Sequence, residues 1–195
     1  MPITPEEKRI LTRMSEKKTV TAKELIGVVN PVFKSMCIEP RYTTVGAPVS
    51  HRETHTYVYP DSTKNLKRAG IKTKYGGWSA TFDDDIKKRP KNFPKKVIYI
   101  NNEMSREAQI VTLAHETGHI VMKRAIEKDV GVREAERKAH AMERVFVGKF
   151  NKRYKKLGVE LDFGVSKSKF KPRKGDAEIV RKNISTSYLR KGCKL

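Results

Sequence analysis

An α+β fold, with a small twisted sheet packed on one buried helix, is predicted by three observations on this sequence. From Ser105 onward, Ile110, Val111, Leu113, Ala114, Ile120, Val121 and Ile126 cover most of a helix's circumference, the pattern of a helix buried on nearly all sides. Just before it, GGWSATF (Gly76 to Phe82) and KKVIYIN (Lys95 to Asn101) have the β-branched and aromatic content of strands. After it, Ala135, Ala139, Met142, Phe146 and Phe150 recur at helical spacing, which gives a long helix from about Val132 to Tyr154 one core-directed face.

The remaining elements follow from local signals. Thr4 as N-cap, Pro5 in the first helical position and Glu7 three residues after the cap start a helix over residues 4–17. A second capping box, Thr21 with Glu24, opens a stretch in which Leu25, Val28, Val29, Val32, Phe33 and Met36 share a face; Pro31 is expected to kink or split it. Residues 41–60, rich in Thr, Val and Tyr, read as strand, with His51 and His55 as surface residues on it. Residues 61–74 read as a loop or short helix, and residues 83–94 as a loop.

Composition bounds the rest. The 195 residues suffice for one compact domain, or for a core domain with a tail. Lys and Arg number 43 against 22 Asp and Glu, a net charge of +21, so the surface should attract polyanions, nucleic acid foremost. From residue 151 to the end there are 14 basic and 4 acidic side chains. The chain is therefore divided into residues 1–158, the folded domain, and residues 159–195, a basic tail in which Lys167, Lys169, Lys171, Arg173 and Lys174 are the candidate contacts to nucleic acid. Cys37 and Cys193 belong to no metal-binding cluster and are expected as free thiols in a reducing interior. No apolar run approaches the roughly 18 residues that span a bilayer, and the charged N-terminus lacks the apolar centre of a secretory signal. A soluble, intracellular protein is expected.

The chemistry lies in TLAHETGHIV (Thr112 to Val121). His115 and His119 stand one helical turn apart, so both imidazoles project from one face and form a rigid half of a zinc site. Glu116, next to His115, can act as general base on a zinc-bound water, whose pKa zinc lowers towards 7, and then as general acid to a leaving amine. This is the H-E-x-x-H pattern of metalloproteases. Gly118, inside it, leaves room for a ligand or another backbone. A third ligand must come from elsewhere: Glu136, His140 and Glu143 share a face of the next helix, Asp129 sits in the turn, and spacing alone ranks none of them first. For an oxyanion stabiliser, Tyr99, Tyr154 and His140 are the candidates.

KKVIYINNEMSREAQIVTLAHETGHIVM resembles the core of the ImmA/IrrE family of zinc metallopeptidases, with its strand ending in Ile-Asn and its helix carrying His-Glu-x-Gly-His. The resemblance covers about residues 95 to 145. That family, like the Ste24-type peptidases, takes its third ligand from a Glu-x-x-Ala-Asn/Asp segment on the following helix. Here that segment is Glu136-Arg-Lys-Ala139-His140, with His in place of Asn or Asp. The resemblance thus implies a zincin-like fold, Zn2+ held by His115, His119 and Glu136, Glu116 as catalytic group, and a protein substrate; on it, Glu143 is not needed for the metal. The SprT/Spartan-like proteases, which act on DNA-bound proteins, share the order strand, strand, zinc helix. Their third ligand is usually a later histidine, a place His140 would fill. Their setting suits the basic charge. The alternative to a protease is a non-enzymatic nucleic-acid-binding or nucleoprotein-particle protein with a vestigial or structural metal site.

Overall fold

A computed structural model describes residues 2–16, 19–68, 77–81, 93–122, 132–161 and 172–193, with backbone alone for 78–81. Two capping boxes start the first helices as the spacing predicts. In α1 (Pro5–Glu16) the Thr4 hydroxyl accepts from the Glu7 amide, and the Glu7 carboxylate accepts from the Thr4 amide. Thr21 and Glu24 repeat this at the head of α2 (Ala22–Ser35). Pro31 neither splits nor ends α2. Proline inside a helix costs about 3 kcal/mol, but Val28, Val29, Val32 and Phe33, on both sides of it, are fully buried in one core and hold the helix as a unit.

The stretch 41–60 is not one strand. Gly46, at a positive φ of 88°, and Pro48 turn the chain, leaving β1 (Tyr42–Thr43), a single helical turn α3 (His51–Thr54) and β2 (Thr56–Asp61). His51 thus lies on that turn and His55 at its end, with stacked rings 3.9 Å apart. A short α4 (Thr63–Arg68), β3 (Gly77–Thr81) and β4 (Lys96–Asn101) follow.

Among the described residues, four strands form one mixed sheet in the order β1-β2-β4-β3. β1, β2 and β4 run parallel, and β3 pairs antiparallel with β4 at the edge. Side chains alternate across the sheet: Val58, Ile98 and Ile100 join the main core, while Tyr59 stacks on Tyr99 on the other face. On the core face lies α5 (Arg106–Val121), which buries Leu113, Ala114 and Val121 completely. The long α6 (Val132–Tyr154) packs along α5, α2 packs against both, and α1 lies on α2. The buried helix and its partner therefore occupy the places the apolar patterns predict. Among the described residues no helix is long and apolar enough to cross a membrane.

The C-terminal region departs from expectation. Residues 172–193 are no solvated tail: α7 (Asp176–Asn183) packs on α6, and Val180, Ile184 and Tyr188 enter the main core. Isolated bridges join Met122 to Ile184 and Ile38 to Leu189. The buried Asp176 carboxylate accepts two hydrogen bonds from the Arg144 guanidinium, both 2.8 Å. Few apolar residues suffice here because they complete a core that other elements build. The cysteines are not free thiols either, since Cys37, after α2, and Cys193 form a disulfide across 156 positions. Their distance in sequence hid a proximity that the docking of residues 184–190 creates. Lys167, Lys169, Lys171 and Asp129 lie outside the described residues.

Candidate metal centre

Ser105 sets the start of the site helix: its hydroxyl accepts from the Ala108 amide at 3.2 Å. Nearly every side of α5 is buried, so its polar residues are held in place by packing. Thr117 donates to the Leu113 carbonyl and meets the Tyr42 hydroxyl behind the helix. Glu116 is buried as well, while His115 and His119 face α6.

Three donor groups converge. Nε2 of His115 and Nε2 of His119 are 3.2 Å apart. The Glu136 carboxylate lies 3.3 Å from the first through Oε2 and 3.4 Å from the second through Oε1. Donors bound tetrahedrally to one zinc at about 2.0–2.1 Å stand roughly 3.3 Å from each other. The triangle thus has the size of a zinc coordination face. His140 stands beside it, with Nε2 4.0 Å from Glu136 Oε2. Ligand atoms of His115, Glu136 and His140 fall within 4.8 Å of one another, a group able to hold a metal ion.

Small residues make this convergence possible. A Cβ built on Gly118 would stand 3.0 Å from Cα of Ala139 and 3.2 Å from Cβ of Met142, so glycine is what lets α6 approach α5 closely. Glu136 sits one turn before Ala139 and is carried over the histidine pair by that approach. Gly77, at the start of β3, is equally constrained: a Cβ there would meet Thr112 and lie 3.2 Å from Cγ of Glu116. The edge strand therefore begins against the glutamate of the motif.

Electrostatics differ across the cluster. Burial, aided by the charge of His115, pushes His119 down to about 4, so its ring is neutral at pH 7, the form that binds metal. For His115 burial pulls downward, but the hydrogen bond to Glu143 and the surrounding carboxylates prevail and raise it. Burial would raise Glu143, yet hydrogen bonds from His115 and His140 hold it at about 2.

Residues 71–145 match the IrrE N-terminal-like domain of the M78 peptidases. No curated protein and no solved structure matches the chain. The IrrE-like segment takes in β3, β4, α5 and the first half of α6, hence every residue of the converging cluster from His115 to Glu143. The resemblance read from KKVIYIN and TLAHETGH holds, and the segment is metallopeptidase-like.

The structure brings His115, His119 and Glu136 together, and places His140 at their side. It removes Tyr154 from the candidate oxyanion groups, because that hydroxyl is buried at the far end of α6, donating to Glu7. Tyr99 lies on the sheet face away from the main core, against Tyr59. Sequence reasoning missed the part of Glu143, whose Oε2 touches Nδ1 of both His115 and His140. Its spacing from Glu136 and His140 put it on the correct face, but nothing in the spacing showed which histidines it would meet. Arg173 and Lys174 are exposed just before α7.

Proposed function

We propose that this protein is a zinc-dependent metallopeptidase that hydrolyses a protein substrate. The carrying observation is the triangle of His115, His119 and Glu136 donors, 3.2–3.4 Å on each side, with the Glu116 carboxylate on the same helix. A bound zinc ion supplies Lewis acidity there, polarising a scissile carbonyl and acidifying water. Glu116 takes the proton of the attacking water and delivers it to the leaving amine. Its burial keeps bulk water from competing for that proton. The side of β3 away from β4, which has no strand partner among the described residues and begins against Glu116, is the proposed place for an extended substrate chain to add its backbone to the sheet edge.

A structural metal site is generally closed by four protein ligands, often cysteines. Here both cysteines are joined to each other at α2 and the C-terminus, which favours the catalytic reading over the non-enzymatic one. Purified protein should contain about one zinc per chain. Elemental analysis should find it lost in His115→Ala and in Glu136→Ala and retained in Glu116→Gln. Wild-type protein that takes up no zinc would sink this reading.

The charge of +21 supports a second property, sequence-independent binding of nucleic acid or another polyanion through released counterions. Lys167, Lys169, Lys171, Arg173 and Lys174 are its proposed contacts. Deleting the C-terminal segment is a poor test, because Ile184 and Tyr188 would leave the core with it. Replacing these five residues by glutamine should instead weaken binding to random-sequence DNA or RNA and flatten its salt dependence, by about one in the log–log slope for each phosphate that is no longer neutralised. An unchanged slope in a salt titration would assign the polyanion surface elsewhere.

A further inference from the structure

Glu143 is outside the H-E-x-x-H motif and outside the donor triangle, yet it is buried and holds two imidazoles with one oxygen. Its Oε2 accepts from Nδ1 of His115 at 2.9 Å and from Nδ1 of His140 at 3.1 Å. A carboxylate oxygen only accepts, so each ring must carry its hydrogen on Nδ1. In a neutral ring this leaves Nε2 with a free lone pair. Both Nε2 atoms face the same carboxylate oxygen, that of Glu136, at 3.3 Å from His115 and 4.0 Å from His140. The two rings stand edge to face with centroids 4.7 Å apart, so neither can turn about its axis without breaking the grip of Glu143 on it.

We infer that Glu143 is the positioning residue of the metal centre: one buried carboxylate fixes His115 and His140 together in the Nδ1–H tautomer and turns both Nε2 atoms toward the Glu136 carboxylate. His115 thereby enters the donor triangle in the ligating form. His140 is held beside the triangle and outside it, its Nε2 4.0 Å from Glu136 Oε2. The inference rests on the zinc reading above, and it revises the expectation that Glu143 is dispensable for the metal. Partners that orient a metal-bound histidine through its other nitrogen typically contribute 10–100-fold to metal affinity.

The test measures zinc affinity by chelator competition for wild-type protein, Glu143→Gln and Glu143→Ala. In parallel, the tautomers of His115 and His140 are read by 15N NMR of the imidazole nitrogens in zinc-loaded wild type. Glu143→Ala should bind zinc about 10–100-fold more weakly. Glu143→Gln, which keeps one acceptor oxygen, should fall between it and wild type. Both rings should carry their hydrogen on Nδ1 in the wild type. Unchanged zinc affinity in Glu143→Ala overturns the inference while leaving the peptidase reading intact. So does a His140 ring protonated on Nε2 in the wild type, a result that does not depend on any variant folding. Failure of wild-type protein to bind zinc is a separate outcome and removes the reading on which the inference rests.

Discussion

Glu116→Gln is expected to lower peptide hydrolysis by about 10²–10⁴-fold, the usual contribution of a general acid–base group, without loss of metal. The amide keeps the size and much of the hydrogen bonding of the carboxylate but cannot take a proton. Glu116 is buried on a helix held on nearly all sides, so the substitution should leave the fold and the donor triangle in place. The measurement is cleavage of an unfolded protein by zinc-loaded wild type and variant at matched metal content. Equal rates would remove Glu116 from the chemistry and move the proton transfer to another group. A loss of zinc together with activity would leave the rate uninterpretable as a test of the base and would show instead that residue 116 supports the site's structure.

Glu7→Ala should destabilise the whole domain by about 3–5 kcal/mol, the usual result of removing one partner of a buried ion pair. Glu7 and Arg153 are both largely buried, and they pair through two hydrogen bonds of 2.8 and 2.9 Å. The Tyr154 hydroxyl donates to the same carboxylate at 2.7 Å. Without Glu7, Arg153 would lose two charge-assisted hydrogen bonds and Tyr154 its main acceptor, and α1 would lose its tie to the end of α6. The loss is a large share of the roughly 5–15 kcal/mol that typically holds a domain together. Urea unfolding at neutral pH measures it. Acid should weaken the same tie. Burial raises the pKa of Glu7, but hydrogen bonds from Thr4, Tyr154 and Arg153 outweigh it and hold the carboxyl below its ordinary value. A group depressed in this way stabilises fully above the unfolded pKa of about 4.3 and stops doing so as the pH falls through its lower folded value. The gap in stability between wild type and Glu7→Ala should therefore narrow below about pH 4. A gap independent of pH would show that Glu7 acts by packing and not by charge.

Much of the site was legible because its signals are local. One turn of helix determines that His115 and His119 share a face, and a run of apolar residues determines that this helix is buried. Helical spacing also put Glu136, His140 and Glu143 together on α6. Which of them meets which histidine of α5 was not legible. It depends on how far α6 slides along α5, which is set by the contact of Gly118 with Ala139 and Met142, a match of surfaces that no spacing within one helix records. The resemblance to the ImmA/IrrE family singled out Glu136 as the expected third ligand, and at His140 this chain departs from the family's Asn or Asp.

The sequence by itself determined the elements with strong local periodicity or caps: α1, α2, β4, α5 and α6, the shared face of His115 and His119 on α5, and the excess of positive charge. Hydrogen bonds within a turn and the periods of helix and strand act over a few residues, so they leave a readable trace. Only the tertiary structure decided the features made by distant residues meeting. Residues 172–193 close the core although they read as a charged tail, because three apolar side chains suffice where the other walls already stand. Cys193 reaches Cys37 because that segment docks beside α2. Glu143 grips two histidines because two helices pack closely enough to bring residues 115 and 143 within hydrogen-bonding distance. Each of these depends on shape complementarity between surfaces far apart in the chain, which exists only once the core has formed.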